Sequence, residues 1–76
     1  MSKTNLAYEV GIYANDGGFR GYIANLKTNL NIYRTPVCRS HQMAKEIPEF
    51  KEKIKTSKQQ GIMLFFEDSF TNEVTQ

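Results

Sequence analysis

The residues of this chain that could do chemistry are few. Cys38 and His41 stand close enough for a thiol to meet a base, the first requirement of a nucleophilic dyad. Such a dyad also needs an orienting group and an oxyanion site, and no motif supplies either. The expectation is therefore a partly buried thiol at a strand-to-helix junction, a first-turn surface histidine at position 41, and no catalytic residue. One cysteine and one histidine cannot fill the roughly four-ligand shell of structural zinc. No disulfide can close within the chain, and neither a metal nor a cofactor is expected. Gly17-Gly18 does not make a phosphate loop, because no helical pattern follows it. Glu67, Asp68 and Glu73 form an acidic end that could imitate phosphates toward a basic partner, with solubility the simpler role.

Binding chemistry is better represented. Tyr13, Arg20, Tyr22 and Tyr33 fall on one side of the strands described below, opposite the aliphatic side. Tyrosines beside an arginine offer large contact area at low entropic cost and also suit base stacking. Ordinary cross-strand pairing explains any one of them, at roughly 0.2–1 kcal/mol per pair. Lys51, Lys53, Lys55 and Lys58 could contact phosphates along a helix. Lysines near a helix C-terminus also complement its dipole, and Glu46, Glu49 and Glu52 are interspersed, so a solvated mixed-charge face is the plainer reading.

These groups need elements to position them. Tyr8, Val10 and Ile12 alternate along a first strand, and Phe19 and Ile23 match that side on a second. Between them Asp16-Gly17-Gly18 supplies the positive φ angles of a two-residue hairpin turn. A further turn near Lys27-Thr28-Asn29 leads into a strand over Leu30–Arg34. A two-residue loop would put Leu30 and Ile32 on the face of Ile23, and a three-residue loop would put them opposite; the first collects the aliphatics and is preferred. Thr35-Pro36 ends that strand. Ser40 suits an N-cap, and Met43, Ile47, Phe50 and Ile54, widened by Ala44, form one helical stripe. Pro48 either kinks one helix or opens a second at its first position. The in-phase stripe favours one kinked helix, ended by Gly61. Ile62–Phe66 reads as a fourth strand. Residues 69–76 read as a loose tail, with Phe70 and Val74 able to pack as one turn. The expected fold is α+β, in the order βββαβ, with an antiparallel sheet of three to four strands and a helix on one face.

Seventy-six residues allow one domain, 1–76, with an ordered core over about 6–67. A core this small is marginal without staples, which makes self-association through a sheet edge a point of interest. The hydrophobic fraction is 39%, and the longest apolar run is far short of the roughly 20 residues that span a bilayer. Met1–Asn5 lacks the apolar core of a secretory signal. No membrane partner is expected, and a cytoplasmic location in a bacterial cell fits. The net charge of +2 neither requires nor excludes nucleic acid.

Tyr8-Glu9-Val10, Gly18-Phe19-Arg20, and then Ser40, Ala44 and Ile47 resemble the YegP-like family of small bacterial βββα proteins over about residues 8–55. The chain departs from that family in lacking an Asn-Gly turn between the second and third strands and in carrying Pro48. The hairpin from Tyr8 to Ile23 is also similar to the opening of HicB-type antitoxins, without their Pro-rich segment. Both resemblances imply a sheet-and-helix scaffold that acts by interaction. Size and composition suit a phage or mobile-element inhibitor of host defence, of the anti-CRISPR kind. A protein partner held by Tyr13, Arg20, Tyr22 and Tyr33 is the leading expectation. A nucleic-acid module using the tyrosines or the lysines is the second.

Overall fold

Asp16 and Gly17 adopt φ angles of 49° and 77°, the two positive values that a type I′ turn requires. That turn joins β1 (Ala7–Asn15) to β2 (Gly18–Asn25) in antiparallel register, with Val10 opposite Ile23 and Tyr13 opposite Arg20. The structure, a computed structural model, describes residues 6–71. It is the expected α+β arrangement of strands, then helices, then a strand. Its elements continue as β3 (Leu30–Arg34), α1 (His41–Lys45), α2 (Pro48–Gln59), β4 (Met63–Phe66) and α3 (Asp68–Thr71). The strand order is β3-β2-β1-β4, and β4 lies parallel to β1. The sheet is therefore mixed, where an antiparallel one was expected: the helical crossover returns the chain in the direction of β1.

The turn before β3 is longer than expected. Asn25 pairs with Leu30, its side-chain oxygen accepts from the amides of Lys27 and Thr28, and Asn29 takes a φ of 62°. The register then shifts between Ile23 and Ala24, so that Ile32 is an extra residue on β3. Past this bulge Tyr33 pairs with Ile23 and Arg34 with Tyr22. Leu30 and Ile32, expected in the core, are 66% and 46% exposed.

The helical region divides at Pro48. Ser40 caps α1, its hydroxyl accepting from the Met43 amide at 3.1 Å. Ile47 then takes extended angles (φ −59°, ψ 123°), as a residue before proline prefers, and Pro48 opens α2. Two helices thus stand in place of the expected single kinked one. Because α1 is free to set its own phase, it buries His41 and Ala44 and leaves Met43 half exposed. Gly61, at φ 81°, ends the helical run.

The core lies between the sheet and the helices. Val10, Ile23 and Phe50 are fully buried together, and Ile12, Cys38 and Ala44 form an adjoining cluster. Phe50 fits because Gly21 lies beneath it; a Cβ there would meet the ring at 2.5 Å. Thr35, fully buried, stitches the end of β3 to β2: its hydroxyl accepts from the Gly21 amide and donates to the Pro36 carbonyl. Residues 69–71, expected in a loose tail, instead belong to α3. The Ser69 hydroxyl accepts from the Ile12 amide at 3.2 Å, and Phe70 closes edge-on against Phe50. Glu73, Val74 and the N-terminal Met1–Asn5 lie outside the described residues.

Candidate functional site

The helices cover one face of the sheet, and the candidate site lies on the other. Alternation along the paired strands places Glu9, Gly11 and Tyr13 of β1 on this open face with Arg20 and Tyr22 of β2. Arg34 follows from its pairing with Tyr22, and Met63 and Phe65 from theirs with Ala7 and Glu9.

Tyr22 is the centre of the arrangement. Its ring lies over Gly11, where a Cβ would stand only 2.7 Å from the ring, and its hydroxyl donates to Glu9 Oε2 at 2.7 Å. Tyr13 meets it edge to face, with centroids 5.8 Å apart. Tyr13, Tyr22 and Asn31 line a shallow hollow of about 300 Å³. Burial, and then the Glu9 carboxylate, push the Tyr22 phenol well above its ordinary range. It therefore stays protonated and acts as a donor.

The electrostatics run across the sheet. On the β3 side stand Arg34 and Arg20, the latter anchored through Nε to the Thr35 carbonyl at 2.8 Å. On the β4 side, the Glu9 carboxylate beside Glu67, as hydrogen-bond acceptor and as charge, raises the Glu67 carboxyl above the ordinary range. Beside these carboxylates Met63 and Phe65 are 60% and 48% exposed. The open face thus passes from basic through aromatic to acidic and apolar.

Of the four residues expected here, Tyr13, Arg20 and Tyr22 are together. Tyr33 is not. The bulge at Ile32 turns it to the helix face, where it stacks on Phe50 with centroids 6.0 Å apart. Burial and the nearby Glu49 charge raise its phenol, as suits a core residue. Arg34, Asn31, Glu9, Met63 and Phe65 were missed. Strict alternation reaches Glu9 from Tyr13 and Asn31 from the preferred placement of Leu30 and Ile32, but placing Arg34 needed the bulge, and placing Met63 and Phe65 needed the β4 pairing.

The lysines do not form one patch. Lys53 lies over the Tyr33 ring at 5.6 Å, while Lys51, Lys55 and Lys58 recur at helical spacing along another line of α2. Cys38 and His41 are both buried, which corrects the surface placement expected of His41. The thiol donates to the Pro36 carbonyl at 3.4 Å, and His41 Nε2 donates to the Ser69 carbonyl. His41 Nδ1 is buried with no hydrogen-bond partner among the described residues, so it holds no thiol. Also among the described residues, no group of three or more His, Cys, Asp or Glu is placed to hold a metal ion. No described helix is long and apolar enough to cross a membrane. Set against protein-family models, curated proteins and solved structures, the chain matches none.

Proposed function

We propose that this chain is a non-enzymatic binding protein that acts by protein–protein contact through the open face of its sheet. The observation that carries this reading is the ordered tyrosine pair, with Tyr22 fixed by Gly11 beneath and Glu9 beside it, next to exposed Met63 and Phe65. Aromatic anchors held in place before contact cost little to immobilise on binding. Arginines at one end and carboxylates at the other would fix the orientation of a protein surface. The same carboxylates beside the tyrosines disfavour a phosphate backbone, which makes nucleic acid the second choice. Within this reading, the small single domain suits an inhibitor encoded by a phage or mobile element. It would block a host defence complex in the bacterial cytoplasm, in the manner of an anti-CRISPR protein.

The test is affinity capture from a bacterial lysate with three folded proteins. Wild type is expected to retain a protein that the Tyr13→Ala/Tyr22→Ala variant loses. Replacing Lys51, Lys53, Lys55 and Lys58 together by glutamine should leave that capture unchanged. Equal retention by the tyrosine variant would refute the site. Loss with the lysine variant, joined to oligonucleotide binding that falls steeply with salt, would move the function to nucleic acid.

A further inference from the structure

The sheet ends on two unlike edges. On β3 the bulge at Ile32, with Arg34 and Asn31 beside it, interrupts the ladder and guards the edge. The β4 sequence Met63-Leu64-Phe65-Phe66 has no charge, no proline and no bulge. Its backbone polarity can be assigned. The Met63 amide donates to the Leu6 carbonyl at 3.3 Å and the Glu67 amide to the Val10 carbonyl at 2.8 Å, so the odd-numbered residues turn their polar groups toward β1. Leu64 and Phe66 therefore turn theirs outward, where no backbone hydrogen bond among the described residues meets them.

We propose that this edge joins two copies of the chain, β4 against β4, antiparallel about a two-fold axis at Leu64. The result would be one eight-stranded sheet. An axis normal to the sheet keeps the same face of both copies upward, so only residues of like parity can pair. Two centres satisfy this. About Phe65, Met63 would lie across from Glu67 of the second copy, a thioether against a carboxylate. About Leu64, Met63 lies across from Phe65 of the second copy, twice, giving two sulfur–aromatic contacts on the open face. Leu64 exchanges both backbone bonds with its counterpart. The Phe66 amide meets the Ile62 carbonyl of the second copy, whose own amide is already committed to the Ser57 carbonyl. Glu67 comes beside Gly61 of the second copy, where the space for a side chain is open.

Charge favours the same pairing. Lys58 lies in the last turn of α2, five residues before β4, and Glu67 and Asp68 follow the strand's end. Antiparallel pairing brings the basic end of each copy alongside the acidic end of the other. Met63, Phe65 and Phe66, at 60%, 48% and 39% exposed, leave on the order of 300 Å² of side chain open per copy. Twice that is below the roughly 1,200 Å² of a stable interface, so the dimer forms only at high concentration, about 0.1–1 mM. It aligns two open faces side by side and doubles the surface presented to a partner. It takes up Met63 and Phe65 at the β4 end of that surface and leaves Tyr13 and Tyr22, which lie away from the axis, open to a partner.

Sedimentation equilibrium and amide hydrogen exchange by NMR on the full chain, from about 0.05 to about 1 mM, test the pairing. The expected result is a monomer–dimer equilibrium in which the Leu64 and Phe66 amides gain protection with concentration. The Met63 and Phe65 amides should be protected throughout. Phe65→Lys, at an exposed position, should weaken the dimer by at least about tenfold and leave the circular dichroism spectrum unchanged. A monomer at 1 mM overturns the proposal. So does a dimer whose Leu64 and Phe66 amides stay as open as in the monomer, or one that a folded Phe65→Lys variant forms equally well.

Discussion

Each face of the sheet carries a glycine with an aromatic ring laid over it, and the two pairs serve different ends. On the covered face Phe50 lies over Gly21, with Tyr33 stacked on one side at 6.0 Å and Phe70 edge-on at 5.9 Å. The ring is fully buried and has nowhere to move. On the open face Tyr22 lies over Gly11, held by one hydrogen bond to Glu9 and one edge contact with Tyr13. The ring is ordered, yet one side remains available. The same backbone device closes a core on one face and prepares a contact surface on the other.

The comparison breaks most visibly if the two rings are removed in turn. Phe50→Ala deletes a fully buried ring and should cost about 3–5 kcal/mol. That is a large share of the roughly 5–15 kcal/mol that holds a domain together. Urea denaturation should show a midpoint shifted far toward zero denaturant. Tyr22→Ala should cost no more than about 1–2 kcal/mol, because the ring gives up one hydrogen bond and partial burial. If the two variants lost equal stability, the open face would be part of the core and the distinction would fall.

A matched pair of glycine substitutions sharpens the same point with smaller effects. In Gly21→Ala the new Cβ meets the Phe50 ring, which is fenced on every side. Overpacking of this kind costs about 1–3 kcal/mol, and no loss of binding is expected beyond what instability causes. In Gly11→Ala the new Cβ meets the Tyr22 ring, which can swing toward solvent. Stability should change by less than about 1 kcal/mol, while the Tyr22–Glu9 bond breaks and partner capture fails. Thermal denaturation and capture, measured on both variants, separate the two outcomes.

How far this difference could be read from the residues alone depended on whether a feature was local. Asp16-Gly17 dictates its own turn, and that turn fixes which residues of β1 and β2 face the helices. Tyr13, Arg20 and Tyr22 were therefore placed correctly. Ser40 caps α1 through its own side chain and was equally legible. Tyr33 was not, because one extra residue at Ile32 reverses everything after it, and no residue type near Ile32 demands a bulge. The stripe from Met43 to Ile54 assumed a single helix. Once Ile47 becomes extended before Pro48, α1 takes a separate phase and His41 replaces Met43 in the core. The pairing of β4 with β1 joins residues more than fifty positions apart, and Phe70 docks on Phe50 from twenty positions away. Nothing local announces them, and with them Met63, Phe65 and Glu67 were missed as members of the open face.

The smallest expected effect concerns the acidic end of the open face. The Glu9 carboxylate beside Glu67 makes its carboxyl hold a proton more tightly in the folded chain than in the unfolded one. Where the folded state binds the proton more tightly, the associated stability is fully present below the unfolded carboxylate value. It is lost as pH rises through the raised folded value. Wild type should therefore lose a little stability as pH climbs through and just above the ordinary carboxylate range. Glu67→Gln keeps a donor for Glu9 and cannot ionise, so its melting temperature should not show that fall. The variant should be slightly the more stable at neutral pH, with the difference narrowing toward pH 3. Parallel melting profiles for wild type and Glu67→Gln across that range would mean that the two carboxylates do not share a proton. The acidic end of the open face would then be two independent charges.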